Sequence, residues 1–379
     1  MSQNELSRLD VSLKERTYPI FIGSDFLQQI GSLIEPYTRS KKVFLITDST
    51  VEMLYLPLIQ ASLEDAGYEF YVLTIDPGEG SKTLTQASIL LDKILKIGCD
   101  RQTTLISFGG GVVGDLTGFC ASVLLRGIDF IQIPTTLLAQ TDSSVGGKTG
   151  VNMSSGKNLI GTFHQPKAVF IDVYTLKTLD PPQVLSGFGE VAKYGLGLNA
   201  DFWHWLEKNG ERVVALDADA CRYAVEQCCR IKAAVVAADE FETTGLRSLL
   251  NLGHTFAHAI EGIGGMHGSI LHGHAVAIGC VLASWLAADM QLCSSDLPQK
   301  VSDMFQKWGL PTQFDATLKT SELIAFMRKD KKATGHSLNF VLPEEIGSCV
   351  LVNDVPEVAV EDVFKLRGKK SNGFSFYGN

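Results

Sequence analysis

The sequence predicts an α/β fold: an N-terminal, mostly parallel, Rossmann-like sheet domain over residues 1–180, followed by an all-α C-terminal domain over 181–379. Three observations predict it. Short β-rich runs alternate with segments of helical period as far as residue 172, the pattern of a parallel sheet covered by helices. A glycine-rich turn, Gly109-Gly110-Gly111-Val112-Val113-Gly114, joins one of those strands to a helix. Beyond Asp180-Pro181-Pro182 the strands almost vanish and long helical segments take over, so the boundary falls there.

Each element follows from local pattern. Residues 9–22 alternate around Pro19, as an edge hairpin does. KKVFLITDST (41–50) reads as a buried strand ending in polar turn residues. From Pro57 to Ala66 the spacing is helical, with Pro57 in the first turn, where its missing N–H is tolerated. YEFYVLTI (68–75) is a second strand, followed by the turn PGEGSK (77–82). Residues 83–98 have helical spacing, with Leu84, Ile89, Leu90 and Ile94 on one side. TTLISF (103–108), DFIQIPTT (129–136) and AVFID (168–172) are further strands. The stretch 135–161 is dense in hydroxyls, amides and small residues, and reads as a loop, either ordered by ligand through Lys148 and Lys157 or simply solvated. Segments 219–240, 247–262, 273–290 and 298–308 fit helices, and the tail KKSNGFSFYGN reads as loosely held. TDST, PGEGSK, GGGVVGD and PTT all follow strands. They are expected to gather along the carboxyl edge of the sheet, where open α/β sheets bind ligands, in a cleft facing the helical half.

Composition narrows the class. A chain of 379 residues suggests two or three domains. With 45% apolar and 20% charged residues, disorder is excluded as a whole-chain reading. A formal charge of −9 disfavours nucleic acid and anionic membrane as partners, since both need a dominant positive field. The eight cysteines include no CxxC pair and sit mostly in apolar stretches, as reduced thiols do. MSQNELSRLDVSLKER carries both signs of charge, unlike a signal peptide, and no apolar run approaches the roughly 18 residues of a membrane span. A cytoplasmic protein is expected.

The glycine turn matches GxGxxG, whose backbone can approach a pyrophosphate at a helix N-terminus. The acid expected about 20 residues on would be Asp129, but it opens a strand instead of closing one. A nucleotide loop is therefore read, without the standard Rossmann topology; glycines needed only for packing are the alternative. Gly146-Gly147-Lys148-Thr149 resembles a Walker A ending, but the earlier glycine position holds Asp142. Histidine placement is more specific, because five of the eight fall between 254 and 274. His254 and His258 share one helix face, and His272 and His274 flank Gly273. Imidazoles so grouped suit zinc, with an acid from elsewhere as third ligand. Glu190, on a helix near the boundary and three residues from Lys193, is the best candidate; ordinary hydrogen-bonded histidines are the alternative. Lys193, Lys232, Arg247 and Lys331, with Lys148 and Lys157, would suit a small phosphorylated and carboxylated substrate.

GGGVVGDLTGF, LLRGIDFIQIPTTLLAQTDSSVGGKTGVN, GKNLIG, GEVAKYG, LRSLLNLGHTFAHAIE, LHGHAVAIG and MRKDKK stand in the order found in the 3-dehydroquinate synthase family of sugar phosphate cyclases, which the chain resembles from RTYPIFIGS (16–24) to NFVLPEEIG (339–347). The resemblance implies an N-terminal NAD-binding domain and a helical metal- and substrate-binding domain. It implies NAD contacts at Asp48, Glu79, Lys82, Gly111, Val112, Val113, Gly114, Asp115, Thr135, Thr136, Lys148, Lys157, Thr175, Leu176, Lys177 and Thr178. It implies Glu190, His254 and His272 as ligands of Zn²⁺ or Co²⁺. Catalytic roles fall to Lys148, Lys193, Lys232, Arg247, Asn251 and His258, and substrate contacts to Arg126, Asp142, Asn158 and Lys331. Arg126 would reach the substrate phosphate of a partner subunit, which implies a homodimer. The implied reaction is a lyase step of the shikimate pathway, towards chorismate and the aromatic amino acids. It converts 3-deoxy-D-arabino-heptulosonate 7-phosphate to 3-dehydroquinate and phosphate, by transient NAD oxidation, elimination, re-reduction, ring opening and aldol closure. Two departures stand out: His272-Gly273-His274 replaces the family's usual HGE, and DEFETTGLR carries one extra residue. The HGH variant is similar to some 2-epi-5-epi-valiolone synthases, which with a metal-dependent NAD alcohol dehydrogenase form the alternatives.

Overall fold

The computed structural model describes residues 6–264, 270–315, 317–331 and 338–367. The chain folds as two compact units: the residues to Asp180 together with Leu216–Thr243, and Pro181–Ala215 together with the residues from Thr244 on.

In the first unit β1 (Ser7–Val11) and β2 (Tyr18–Gly23) form the expected antiparallel hairpin. After α1 (Ile30–Ile34) comes β3 (Lys42–Asp48), buried on both faces. Alternation explains this: Val43 and Leu45 enter one core cluster, while Phe44 and Ile46 enter the other. The next helix, α2 (Ser49–Asp65), begins well before the expected Pro57. Its start is set by Asp48, whose carboxylate accepts the N–H groups of Thr50 and Val51 at 2.9 and 3.1 Å. Pro57 thus lies inside the helix, on an exposed face where water can serve the carbonyl it leaves without a donor.

β4 (Glu69–Ile75) leads to α3 (Leu84–Ile97), which turns Ala87, Leu90 and Ile94 to the core. Leu84 and Ile89, expected on that side, are each 44% exposed, because the helical period rotates them off the Ala87–Leu90–Ile94 stripe. β5 (Thr104–Gly109), α4 (Gly111–Val123) and β6 (Asp129–Pro134) follow the expected order. The stretch read as a loop is mostly a hairpin, β7 (Lys148–Met153) and β8 (Gly156–Phe163), after a π-helical turn at Ala139–Ser143. Its glycines serve close backbone approach: a Cβ on Gly161 would meet the Thr149 carbonyl oxygen at 2.2 Å, and one on Gly150 the Ile160 oxygen at 2.8 Å. β9 (Val169–Asp172) completes a sheet ordered β1-β2-β9-β6-β5-β3-β4, parallel except for β1. The chain leaves β3 outward to β4 and returns to its other side at β5, so a topological switch point lies between Asp48 and the Gly109–Gly111 turn.

The chain enters the second unit through α5 (Pro181–Leu198) and α6 (Ala200–Val214), then returns to the first as α7 (Ala218–Ala238). The expected assignment of everything after 180 to one C-terminal domain therefore differs from the fold over Leu216–Thr243. The reason lies in the partners of α7: Cys229 Sγ donates to the Gln140 carbonyl at 3.3 Å, and Lys232 Nζ to that of Asp142 at 2.8 Å. The second unit resumes with α8 (His254–Gly264), α9 (His272–Asp289), α10 (Leu297–Lys307) and α11 (Thr320–Lys331). A hairpin, β10 (Phe340–Glu345) and β11 (Ser348–Val352), precedes α12 (Glu357–Arg367), so this unit is helical with one small sheet and not all-α. The helix expected over 247–262 is broken: Leu246–Asn251 is a 3₁₀ turn, and Gly253 has φ +79°. A Cβ on Gly253 would meet the Cys280 nitrogen at 2.7 Å, so the break allows close approach to α9. The tail KKSNGFSFYGN lies outside the described residues.

Asp172, buried at the end of β9, fastens the N-terminal hairpin to the sheet. It accepts the N–H groups of Asp25, Phe26, Leu27 and Tyr174 at 2.7, 2.7, 3.2 and 3.0 Å. Asp172→Ala should destabilise the chain by about 3 kcal/mol, because it leaves several buried donors unpaired. Urea unfolding of both proteins checks this; an unchanged midpoint would contradict it.

Candidate active site

In the second unit, α5 places the fully buried Glu190 opposite two imidazoles. Its Oε1 lies 3.6 Å from His254 Nε2 and 3.3 Å from His272 Nε2. Among the described residues these three form the one group of His, Cys, Asp or Glu whose ligand atoms all lie within 4.8 Å of one another. Glycines beside each ligand bring them together. A Cβ on Gly189 would meet the Gly273 carbonyl oxygen at 2.2 Å, and one on Gly273 the Ser186 oxygen at 1.7 Å. The Gly273 N–H donates to Ser186 Oγ at 3.1 Å, closing the crossing of α5 and α9. A Cβ on Gly279 would meet the Gly253 oxygen at 2.2 Å, which draws α9 against the residue before His254.

The outer nitrogens of both ligand histidines are engaged. His254 Nδ1 lies 3.2 Å from the Leu252 carbonyl, and His272 Nδ1 3.2 Å from Glu261 Oε2. With Nδ1 engaged outward, each ring turns its Nε2 toward Glu190. Lys193, one turn along α5, forms an ion pair with Glu190 Oε2. Burial pushes the His254 imidazole down to about 3, helped by the Lys193 charge. Burial alone would also lower His272, but its hydrogen bonds to Glu190 and Glu261 outweigh that and raise it to about 10. Two imidazole nitrogens and a carboxylate oxygen, oriented by outer hydrogen bonds, are the donor set of a catalytic zinc or cobalt site with room for a further ligand. The residues present therefore fit the metal.

His258 joins the cluster at its exposed edge, its ring 5.6 Å from that of His254 and 6.5 Å from that of His272. His274, two residues past His272 on α9, is buried and stands outside the ligand group. Glu261 was not singled out by sequence. Its spacing of seven residues from His254 puts both on one face of α8 and was the available signal. Arg247 is buried on the 3₁₀ turn that Asn251 closes as an exposed residue. Lys331 ends α11, and its side chain lies outside the described residues.

In the first unit the carboxyl edge of the sheet gathers most of the expected cofactor residues. Gly110 begins α4 without a side-chain cap, so the N–H groups of Gly111, Val112 and Val113 open the helix. The turn is tight: Cβ atoms on Gly110, Gly111 and Gly114 would meet Thr136 Cγ2 at 3.1 Å, Ser143 Oγ at 3.0 Å and Gln132 Oε1 at 2.9 Å. Val113 itself is core. Lys82, buried, bridges Asp115 and Asn158, both at 2.5 Å, and Glu79 accepts from Asn152 at 2.6 Å. A glycine cradle at a parallel sheet's switch point, with Asp48 at the next strand end, fits a dinucleotide.

Several other expected contacts also make bonds within the first unit. Thr175 and Leu176 are buried; Thr175 Oγ1 donates to the Asp172 carbonyl at 2.8 Å and accepts from Gln140 at 3.0 Å. Thr178 Oγ1 shares a 2.7 Å hydrogen bond with Tyr55, and Lys177 lies 4.1 Å over the Tyr174 ring. Thr135 is buried beside Gly109, and Thr136 Oγ1 accepts from Ala139 N–H at 3.2 Å. Lys232 Nζ reaches Asp142 Oδ1 at 2.8 Å, and Lys148 pairs with Glu242, a residue the sequence did not single out. Lys157 is exposed on β8, and Arg126 is exposed with φ +69° between Leu125 and Gly127, which also lie at positive φ.

Glu190→Gln and His272→Ala should each lower bound Zn²⁺ or Co²⁺ in equilibrium dialysis at least tenfold in affinity, by about that order for a lost ligand. His258→Ala should keep one ion per chain; loss there with retention in His272→Ala would move the site.

The chain matches two families, described as 3-dehydroquinate synthase N-terminal over residues 72–186 and 3-dehydroquinate synthase C-terminal over residues 187–333. It is 46% identical over 355 residues to a 3-dehydroquinate synthase of Desulforamulus reducens, covering 94% of this chain and 98% of that protein. Among solved structures it is similar to a 2-deoxy-scyllo-inosose synthase complexed with carbaglucose-6-phosphate, NAD⁺ and Co²⁺, with TM-score 0.86, 25% identity and coverage of 95% of this chain and 100% of that one. It is also similar to a 2-epi-5-epi-valiolone synthase of Streptomyces hygroscopicus with NAD⁺ and Zn²⁺ bound, with TM-score 0.85, 27% identity and coverage of 93% and 97%. Matched in both halves, and along nearly its whole length by a relative of that name, the chain belongs to the 3-dehydroquinate synthase family.

Proposed function

We propose that this chain is a 3-dehydroquinate synthase: a lyase that converts 3-deoxy-D-arabino-heptulosonate 7-phosphate to 3-dehydroquinate and phosphate, using NAD and Zn²⁺ or Co²⁺. The observation that carries the reading is the buried Glu190 facing half-buried His254 and His272, in a chain that also holds a glycine cradle at its sheet switch point. The higher identity to a 3-dehydroquinate synthase, 46% against 27% to a valiolone synthase, selects this member of the cyclases. When bound, NAD⁺ supplies a temporary two-electron acceptor, and the metal a Lewis acid for the substrate hydroxyls.

The chain's own residues supply the rest. Glu190, His254 and His272 hold the ion, kept in orientation by Leu252 and Glu261. Asp48, Glu79, Lys82, Asp115 and the Gly111–Gly114 cradle hold the dinucleotide, with Thr135, Thr136, Lys157 and Thr175–Thr178 bordering it. Lys148, Lys193, Lys232, Arg247 and Lys331 bind the phosphate and carboxylate; Asp142, Asn158 and Asn251 orient the hydroxyls. Binding the phosphate firmly keeps its oxygens beside the C6 proton, so the departing group takes that proton as its C–O bond breaks. His258, on the exposed edge of the histidine cluster, steadies the charge that develops or relays a proton. Arg126 acts on the substrate phosphate of a partner subunit, so the active species is a homodimer. No helix among the described residues is long and apolar enough to cross a membrane, and we place the enzyme in the cytoplasm.

The test is product analysis with heptulosonate phosphate, NAD⁺ and Zn²⁺ or Co²⁺. Phosphate release, a cyclic carboxylated product, no net NADH and loss of turnover on chelation are expected. No turnover there, with turnover of sedoheptulose 7-phosphate, would overturn the assignment. Lys232→Ala and Arg247→Ala should each raise the substrate KM about tenfold or more, the worth of one charged hydrogen bond. NAD affinity by fluorescence titration should stay near wild type; equal loss of both would contradict these roles.

A further inference from the structure

Residues 239–243 form a built turn that delivers one acid onto Lys148. Asp239, buried, closes the turn by accepting the Thr243 N–H at 2.8 Å. Glu240 is gripped by Arg16 through two hydrogen bonds, at 3.0 and 2.7 Å, and by Gln165 at 3.1 Å. Phe241 packs edge-on against Phe163 of β8 at 5.5 Å, with the Arg16 guanidinium 5.3 Å over its ring. Glu242 follows with φ +58°, a left-handed conformation that a non-glycine residue adopts only where its surroundings hold it. Its carboxylate then forms an ion pair with the Lys148 ammonium at the start of β7. All of these residues belong to the first unit.

We propose that Glu242 is a specificity-determining residue that competes internally for the anion site of Lys148, its carboxylate holding the ammonium until an anionic group of the substrate displaces it. The inference rests on the proposed reading that Lys148 meets substrate. The chemistry is an exchange of one oxyanion for another. A bound phosphate or carboxylate gains the charge-assisted hydrogen bonds that the glutamate gives up, and a neutral ligand gains nothing by the exchange. Glu242 thus lowers affinity for every ligand at this position and leaves a strongly charged substrate best able to enter. The pair is partly open to solvent, with side chains 52% and 31% exposed, so the competition is modest and weakens with salt.

The experiment uses the full-length enzyme loaded with NAD and metal. Steady-state kinetics with heptulosonate phosphate, and competitive inhibition by inorganic phosphate, are measured for wild type, Glu242→Gln, Lys148→Ala and the double variant. Glu242→Gln should lower both KM and the phosphate inhibition constant about threefold, the worth of a partly exposed ion pair. It should leave the melting temperature unchanged, and the gain should shrink at high ionic strength. In the Lys148→Ala background the same substitution should change neither constant. A rise in KM for Glu242→Gln would overturn the proposal, because it would make Glu242 a support that holds Lys148 ready. An unchanged KM in Glu242→Gln, with a large rise in Lys148→Ala, would also overturn it while sparing the role of Lys148. No effect of Lys148→Ala on either constant would instead refute the reading beneath it.

Discussion

A carboxylate with no exposure to water governs the second unit. Glu190 cannot stay ionised there without countercharge, and desolvation makes an uncompensated anion costly. Lys193 supplies one partner from the same helix; His254 and His272 close the other side. The geometry that permits this is steric before it is electrostatic. Gly189, Gly253 and Gly273 each stand next to one of the three ligands in sequence, and each lies where a Cβ would strike a neighbouring backbone or side chain. The helices therefore approach closely beside the candidate ligands, and a methyl group there would force them apart.

The first unit is organised by its sheet instead of by one buried charge. A parallel sheet ends its strands on one edge, and the reversal of strand order between β3 and β5 opens a crevice there. Cations are presented to that edge already paired, Lys82 with Asp115, Lys232 with Asp142 and Lys148 with Glu242. Such pairing keeps buried or half-buried ammonium groups tolerable.

Much of this was legible in the residues. Strand and helix alternation gave the sheet, and the spacing of His254, His258 and His272 pointed to a metal, with Glu190 as its acid. What local pattern missed has physical reasons. The small and polar residues of 135–161 read as a loop, yet Gly150 and Gly161 among them allow two strands to touch. Pro57 looked like a helix start, but the Asp48 cap and water at an exposed face let α2 run through it. The periodicity of α7 showed a helix but not which core it joins; long-range bonds from Cys229 and Lys232 decide that. Glu261 had only its spacing from His254 to mark it, and Glu242 acts through Lys148, distant in sequence, which no spacing rule reveals. The roles assigned to Arg126 and Asn158 rest on family resemblance rather than on local physical pattern.

The most direct test of the account is anomalous diffraction at the cobalt edge from crystals grown with Co²⁺. The account predicts one peak, at about 2.0–2.2 Å from Nε2 of His254, Nε2 of His272 and an oxygen of Glu190. A peak centred on His258 or His274, or none with Glu190 still paired to Lys193, would contradict it.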